Sequence, residues 1–248
     1  MKISIITATF NSARTIQDTL QSIAEQSYPH IEHIIIDGLS GDDTLLYVKR
    51  FSHVAQLVCE KDKGIYDAMN KGIARASGEV VGILNSDDIY INDRVIGKVM
   101  KEFEDDSIDI VYGDLQYVNQ MDLNKVVRTW KAGSFTKKSF YYGWMPPHPS
   151  FFVRKKVYDR LGLFNLELKT AADYEIIIRF LLKNELKAAY LPEVLVKMRT
   201  GGASNASLMQ RIRANREDKK AWKMNGLRPN LFTLVLKPLR KINQFLIK

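Results

Sequence analysis

The sequence predicts an α/β protein built on a mainly parallel sheet with helices on both faces. Short β-branched apolar runs alternate with amphipathic stretches through the first 107 residues, the pattern of parallel strands joined by crossover helices. Each run ends in polar or acidic residues, and open α/β sheets bind ligands outside the carboxyl ends of their strands. After about residue 108 the rhythm changes to paired strands and separate helices, with no internal repeat or low-complexity linker between the halves.

"ISIITATF" (residues 3–10) reads as the first strand, followed by Asn11 or Ser12 as cap of a helix carrying Ile16, Leu20 and Ile23 at helical spacing. "IEHIIID" (31–37) is the second strand, and "GLSGDDTLLYVKRF" turns through Gly38 and Gly41 into a second helix. "VAQLVCE" (54–60) is the third. "GIYDAMNKGIARASG" follows as a helix with Ile65, Met69, Ile73 and Ala76 on its buried face, stopped by Gly78. "VVGIL" (80–84) is the fourth strand. Beyond it, "IDIVYGDLQYV" and "KVVRTWKAG" read as antiparallel strands and "HPSFFVRKKVYDRLG" as a strand entering a helix. "AADYEIIIRFLLKNE" is a helix with Ile177, Phe180 and Leu181 inward.

Composition narrows the class. A chain of 248 residues, 46% hydrophobic, can bury one large core. Cys59, the single cysteine, lies in an apolar run; this excludes a disulfide framework or Cys-based zinc site and suits a small core residue in a reducing compartment. "MKISIITATF" carries too short an apolar run for a secretory signal, and no stretch reaches the length of a membrane span, so a cytoplasmic chain is expected. The net charge of +9 is uneven: residues 1–210 hold 26 basic and 26 acidic side chains, whereas residues 211–248 hold 11 basic ones against Glu217 and Asp218. A neutral body with a basic tail argues against a nucleic-acid binder, whose charge would spread over the fold.

Neither G-x-G-x-x-G nor G-x-x-x-x-G-K-[ST] occurs, so the glycine loops of dinucleotide oxidoreductases and P-loop NTPases are missing. A diphosphate bound here needs another neutralising group, and Mg²⁺ or Mn²⁺ on carboxylates is the ordinary solution. Asp87 and Asp88, at the end of the fourth strand, repel each other unless something positive answers them. A divalent cation would do so and would hold a nucleotide diphosphate. The alternative is that one of them caps the next helix, but Asn92 or Asp93 already stands before "RVIGKVMKEF". Asp37, ending the second strand, is placed to accept hydrogen bonds from a ribose or base, while the rest of "DGLSGDDT" fits a turn and cap.

The chain resembles the inverting glycosyltransferases of family 2, through "SIITATFN", "IIIDGLSGDDT", "EKDKGIYDAMNKGIARASGEVVGILNSDD", "HPSFFVR" and "TAADYEIIIRF" in this order, over roughly residues 2–205. It is most similar to members that build bacterial exopolysaccharide, capsule or lipopolysaccharide. The resemblance implies a GT-A fold: a Rossmann-like nucleotide-binding half over residues 1–107, a mixed acceptor-side half over 108–205, and a helical tail over 206–248. It implies a metal-dependent transfer from a nucleotide-diphosphate sugar to a glycan or polyprenyl-lipid-linked acceptor. Thr7, Thr9 and Asp37 would line the nucleoside pocket, with Glu60 and Asp62 at its border. Asp88 would ligate the metal directly, and Asp87 would share it while lying nearer the ribose. Asp173 would be the general base. Asn85 departs from the family, standing where many members have another aspartate and lowering the local negative charge.

Several of these positions have structural alternatives. Thr170 and Asp173 have capping-box spacing, and an acid in a first helical turn is held ionised by the dipole in either role. His148, in the rigid "MPPHPS" loop, suits either a hydrogen-bonded structural histidine or a donor-site residue. "MRTGGASN" resembles a loop that closes near the diphosphate, with Gly201 and Gly202 admitting an anion and Arg199 adding charge; a plain connector is the alternative. Trp130, Trp144, Tyr141 and Tyr142 read as core before they read as sugar platforms. A sugar nucleotidyltransferase would need a glycine-rich first loop, which "TATFNSARTI" lacks; a non-catalytic nucleotide-sugar or glycan-binding module is the other rival. The tail, residues 228–248, interleaves Leu, Phe, Ile and Val with Arg and Lys around Pro238, as an interfacial helix does. It is expected to rest on an anionic membrane at the inner face of the cell membrane, the alternative being a terminal helix packed on the body.

Overall fold

The computed structural model describes residues 1–201, 208–230, 232–234 and 236–237. The first half runs β1 (Ile3–Thr9), α1 (Ile16–Ala24), β2 (Ile31–Asp37), α2 (Thr44–Val48), β3 (Val54–Cys59), α3 (Ile65–Arg75) and β4 (Val80–Ile83). It continues through β5 (Asp88–Tyr90), α4 (Val95–Glu102), β6 (Ile110–Val118), β7 (Val126–Trp130), α5 (Lys137–Tyr141), β8 (Phe151–Arg154), α6 (Lys155–Leu161), α7 (Ala172–Ile177), β9 (Ala188–Arg199) and α8 (Leu208–Met224). One nine-stranded sheet holds the order β3-β2-β1-β4-β8-β6-β9-β5, with β7 paired to β6. β3, β2, β1 and β4 are mutually parallel, so their carboxyl ends share one edge. β8 lies antiparallel to both β4 and β6, and β6 runs parallel to β9.

Strand alternation sorts the core. Ile34 and Ile36 face a cluster with Ile6, Met69 and Ile73 of α3, while Ile35 between them faces Ile16, Leu20 and Val48 of α1 and α2. α3 seats tightly because Gly72 lacks a side chain: a Cβ there would lie 2.3 Å from Ile6 Cγ2, so any larger residue would lift the helix off β1. Ile177, Phe180 and Leu181 are buried as expected, although α7 passes into a π-helical stretch at Ile178–Lys183.

Local details depart from the sequence expectations where a long-range partner takes over. Ile65 is 47% exposed; Ala68 and Gly72 share the buried stripe with Met69 and Ile73 instead. Neither Asn11 nor Ser12 caps α1 through its side chain, because Asn11 Oδ1 accepts from Gly41 N (2.9 Å) and ties the first loop to the second. Asn92 Oδ1 accepts from Arg94 N at 3.0 Å, turning the chain ahead of α4 without capping it. Cys59 is exposed, not core: it is the last residue of β3, the outermost strand, past Leu57, which packs against the cluster of α1 and α2.

α8 is docked on the body. Trp222 is fully buried and its Nε1–H donates to Tyr174 Oη at 2.9 Å. Glu217 Oε2 accepts from Lys169 N, Thr170 N and Thr170 Oγ1. Thr170 therefore caps nothing: its hydroxyl fastens the segment ahead of α7 to α8, and the expected capping box is absent. Further on, Thr233 Oγ1 donates to Tyr141 O (2.7 Å) and Lys237 pairs with Asp218 at 2.8 Å. The basic segment is thus packed on the body through Lys237; residues 231, 235 and 238–248 lie outside the described residues. No helix among the described residues is long and apolar enough to cross a membrane.

Candidate active site

The carboxyl edge of the sheet gathers most of the expected residues. β4 ends at Ile83, and Asp88 does not close it as the sequence suggested: the chain turns at Asn85–Asp87, and Asp88 opens β5, paired to Met198 of β9. The carboxylate of Asp88 is wholly buried. Its Oδ2 accepts from Asn85 Nδ2 at 3.0 Å, and its Oδ1 has no hydrogen-bond partner. Burial pushes the Asp88 carboxyl well above its usual range, and the charge of Asp87 adds to the shift. Asp87 is raised for the same first reason, against the pull of Arg199 and His148.

Arg199 lies directly beneath this pair. Its Nη1 donates to Asp87 O (2.8 Å) and its Nε to Gln120 O (3.2 Å), while Nη2 meets the Asp18 carboxylate. All three guanidinium nitrogens are engaged by the protein, so Arg199 supports the acidic turn from below. Of the two glycines that follow, Gly201 has φ +99° and Gly202 lies outside the described residues.

Asp173 sits in the first turn of α7. Tyr66 Oη donates to its Oδ1 at 3.1 Å, and His148 Nδ1 lies 3.4 Å from its Oδ2. Burial lowers the His148 pKa below its usual value, while Asp173 and Asp87 both oppose the shift. His148 therefore lies within electrostatic reach of the acidic turn and of Asp173. Tyr117 on β6 stands under the charge of both: burial raises its phenol and the charges of Asp88 and Asp173 add to the shift, against Arg128, whose guanidinium lies 3.6 Å from its ring centroid. Tyr66, Tyr117 and Arg128 had no local signature; each sits in an ordinary amphipathic helix or strand.

The rest of the rim is mixed. Asp37 is fully buried and accepts from Ser40 N at 2.9 and 3.2 Å. Thr9 is 4% exposed and its hydroxyl has no partner. Asp62 Oδ1 accepts from Gly64 N (2.8 Å), and its other oxygen reaches Gly38: a Cβ on that glycine would lie 2.5 Å from Asp62 Oδ2. Phe10 stands 62% exposed beside them. Two expected pocket residues are used otherwise. Thr7 is fully buried and hydrogen-bonded to His33 Nε2 at 3.1 Å, below the rim. Glu60 turns to Lys71 (3.2 Å) and Arg75 (3.7 Å) of α3. Asn11 (φ +49°) and Leu39 (φ +66°) hold left-handed backbone in the two loops above Asp37, a strain that recurs at ligand-binding sites. Trp144 is buried and donates to Ala132 O (2.6 Å), which confirms it as core.

An open α/β sheet with unpartnered carboxylate and hydroxyl oxygens along its carboxyl edge defines a protein that binds a polar ligand there. Comparison with known proteins names the family. Residues 4–162 match Glycosyl transferase family 2. An uncharacterised glycosyltransferase of Mycobacterium tuberculosis is 32% identical over 183 residues, 71% of this chain and 68% of that protein. The PGL/p-HBAD biosynthesis glycosyltransferase of Mycobacterium bovis is 28% identical over 208 residues, 82% of this chain and 78% of that one. Among solved structures, Staphylococcus aureus TarS in complex with UDP-GlcNAc superposes with TM-score 0.67 at 19% identity, covering 99% of this chain and 78% of that one. The mannosyltransferase PcManGT of Pyrobaculum calidifontis, in complex with GDP-Man and Mn²⁺, gives 0.66 at 21%, covering 95% and 68%. The chain belongs to glycosyl transferase family 2, has the GT-A fold, and is a glycosyltransferase.

Proposed function

We propose that this protein transfers a sugar from a nucleotide-diphosphate donor to a glycan or lipid-linked acceptor with inversion at the anomeric carbon, in cell-surface polysaccharide biosynthesis. The observation that carries the reading is His148, 3.4 Å from Asp173 Oδ2 and near enough to Asp87 to feel its charge, beside the buried and partly unpartnered carboxylate of Asp88. Such an arrangement can hold a diphosphate at one end and a base at the other. The solved relatives in complex with UDP-GlcNAc and GDP-Man support the donor class.

The donor set fits a divalent cation. Asp88 Oδ1 is an unpartnered buried carboxylate oxygen beside a second carboxylate, which is hard-cation chemistry. Among the described residues no third His, Cys, Asp or Glu joins them, so donor phosphates and water would complete the shell. Asp88 and Asp87 would hold Mg²⁺ or Mn²⁺, and the bound cation would neutralise charge on the departing diphosphate. Thr9, Asp37 and Asp62 would receive the nucleoside.

At the acceptor side, Asp173 takes the proton of the attacking hydroxyl at one of its carboxylate oxygens. Tyr66 donates to Oδ1 and His148 flanks Oδ2, so the carboxylate is fixed in rotation before the acceptor arrives. α8 fixes α7 in turn through Trp222 and Glu217. Attack on the face opposite the diphosphate inverts the anomeric centre.

We assign the protein to the cytoplasmic face of the membrane, with residues 228–248 meeting anionic lipid. The neutral body leaves the tail as the basic end, and each basic residue near such a leaflet contributes ~1 kcal/mol. Phe232 and Tyr142 are exposed where this segment packs. The full-length chain should co-sediment with anionic but not neutral vesicles; equal binding by a chain ending at Gly226, which lacks the whole segment, would place the contact elsewhere.

The deciding experiment incubates the purified chain with a panel of UDP-, GDP- and dTDP-sugars, with Mn²⁺ or with EDTA, and reads nucleoside diphosphate release and the anomeric configuration of the product by NMR. Metal-independent turnover would remove the cation, and retained configuration would remove the single-base mechanism.

A further inference from the structure

Thr9, Asp37 and Cys59 form one row across three strands. Thr9 stands opposite Asp37 in the β1–β2 pair, and Asp37 opposite Cys59 in the β2–β3 pair. Residues opposite each other in a parallel sheet project from the same face, and neighbouring strands lie ~4.8 Å apart. Cys59 is therefore one strand-spacing from Asp37 on the face that Asp37 uses. Unlike its neighbours in the row, it is exposed. At the other end of the row, Thr9 is nine-tenths buried and its hydroxyl has no partner. Phe10 and Asp62 close in beside Gly38, immediately after Asp37. An unsatisfied hydroxyl, a carboxylate and an exposed ring suit the polar edge and flat face of a nucleobase. The thiol stands at the open end of that row.

We propose that Cys59 is an edge of the pocket that receives the donor nucleoside, and that a group attached to its sulfur keeps the nucleotide out. This rests on the reading of the donor as a nucleotide-diphosphate sugar. The modifying reagents are thiol electrophiles and small disulfides. With a maleimide, the thiolate adds across the double bond, a C–S bond forms, and a proton goes to the neighbouring carbon. With a small disulfide, a new S–S bond forms as the old one breaks, and the displaced thiolate leaves, so the disulfide itself is the oxidant.

Cys59 is the only cysteine of the chain, so intact mass reports the adduct without ambiguity. The full chain is titrated with UDP, GDP, ADP, CDP and dTDP in Mn²⁺, before and after N-ethylmaleimide, with nucleotide affinity and melting temperature measured in each state. The nucleotide that stabilises the untreated protein should slow alkylation at least tenfold, and alkylation should weaken its binding at least tenfold. Cys59→Ser, whatever its own affinity, should give the same affinity with and without the reagent. Equal affinity after alkylation, or an alkylation rate indifferent to bound nucleotide, would overturn the proposal. If the maleimide adduct melts far below the untreated chain, methyl methanethiolsulfonate, which adds only a methylthio group, is read in its place. Unfolding by both reagents would also overturn it, since an open pocket edge accepts a methylthio group without unfolding. If none of the five nucleotides stabilises the untreated chain, the donor reading itself fails and takes this inference with it.

Discussion

Replacing Asp88 with asparagine should make the protein more stable without metal and unresponsive to metal. In the native chain this carboxylate is fully buried, one oxygen is bonded only to Asn85 Nδ2 (3.0 Å), and the other has no partner. A buried acceptor left unmade costs ~1–3 kcal/mol, more when charged, and Asp87 adds repulsion. Asparagine has the same shape and can still accept from Asn85, while losing the charge that burial penalises. Against this stand the lost attraction to Arg199, which lowers the Asp88 carboxyl in the native chain, and an amide N–H that needs a partner. These offset part of the gain and leave a net of about 1–2 kcal/mol. For a chain of this size each kcal/mol moves the midpoint by about 2–4 °C, so Asp88→Asn should melt roughly 2–8 °C higher in EDTA.

Adding Mn²⁺ should reverse the order. A ligand at a hundred times its Kd stabilises the native state by about 2.7 kcal/mol, which the wild type gains and the variant does not. Calorimetry on both proteins, with EDTA and across a Mn²⁺ series, reads the crossing. A variant that melts below the wild type in EDTA would show that Asp88 holds the fold together. An equal response of both proteins to Mn²⁺ would place the metal elsewhere.

Asp173→Asn should lower kcat by ~10²-fold or more with donor affinity kept, since its carboxylate is held by Tyr66 and His148 rather than by the acidic turn; a preserved kcat would dismiss it as the base. Tyr66→Phe keeps the ring stacked on Phe164, 5.5 Å between centroids, and loses one charge-assisted hydrogen bond of about 1.5–3 kcal/mol; kcat should fall roughly tenfold or more with the KM for donor unchanged, and a change confined to KM would refute the positioning role. Trp222→Ala should cost ~3–5 kcal/mol, read by urea unfolding, because a fully buried indole and its bond to Tyr174 are lost together. His33 is buried with its pKa pushed down to about 3 from the usual 6.5. Between those values the unfolded chain binds the proton that the native state refuses, so stability present above pH 6.5 is lost as pH falls, by up to ~1.4 kcal/mol per unit; an identical pH slope in His33→Gln would refute this.

The parallel half was legible because its strands need only short β-branched runs and its rim only needs those runs to end in acids. Asp37, Asp87, Asp88 and Asp173 were found that way or through resemblance. Residues whose role depends on a distant partner were not. Tyr66 and Asp173 are 107 residues apart, and nothing in "GIYDAMNKG" distinguishes its tyrosine from a helix residue of ordinary burial. Cys59 and Ile65 read as core because their neighbours are apolar, yet an edge strand and a helix entrance leave them uncovered. Thr170 and Asn11 have good capping chemistry, but Glu217 and Gly41 capture them. At both caps, propensity lost to a hydrogen bond between segments that sequence order keeps apart.

How the turn carrying Asp87 and Asp88 is held also bears on what it is for. Thr15 Oγ1 donates to Ser86 O at 2.9 Å, Thr19 Oγ1 to Asp88 O at 2.8 Å, and Arg199 Nη1 to Asp87 O at 2.8 Å. Ser12 and Ser86 share a hydroxyl contact at 2.8 Å, and Asp88 N closes the turn on Asn85 O at 3.1 Å. Three strong donors surround two carboxylates, and all three bond to main-chain carbonyls. A turn arranged for stability alone would direct at least one of them at the wholly buried, charged oxygen of Asp88, where a hydrogen bond contributes more than at a neutral carbonyl. The arrangement instead fixes the backbone and leaves Asp88 Oδ1 unsatisfied, with Oδ2 held by Asn85 alone, at a cost in stability. Under the proposed function, a cation arriving at Asp88 Oδ1 would meet a ligand already in place on a fixed backbone, with no protein hydrogen bond to that oxygen to break first, which is the condition for binding energy to go into the bound state.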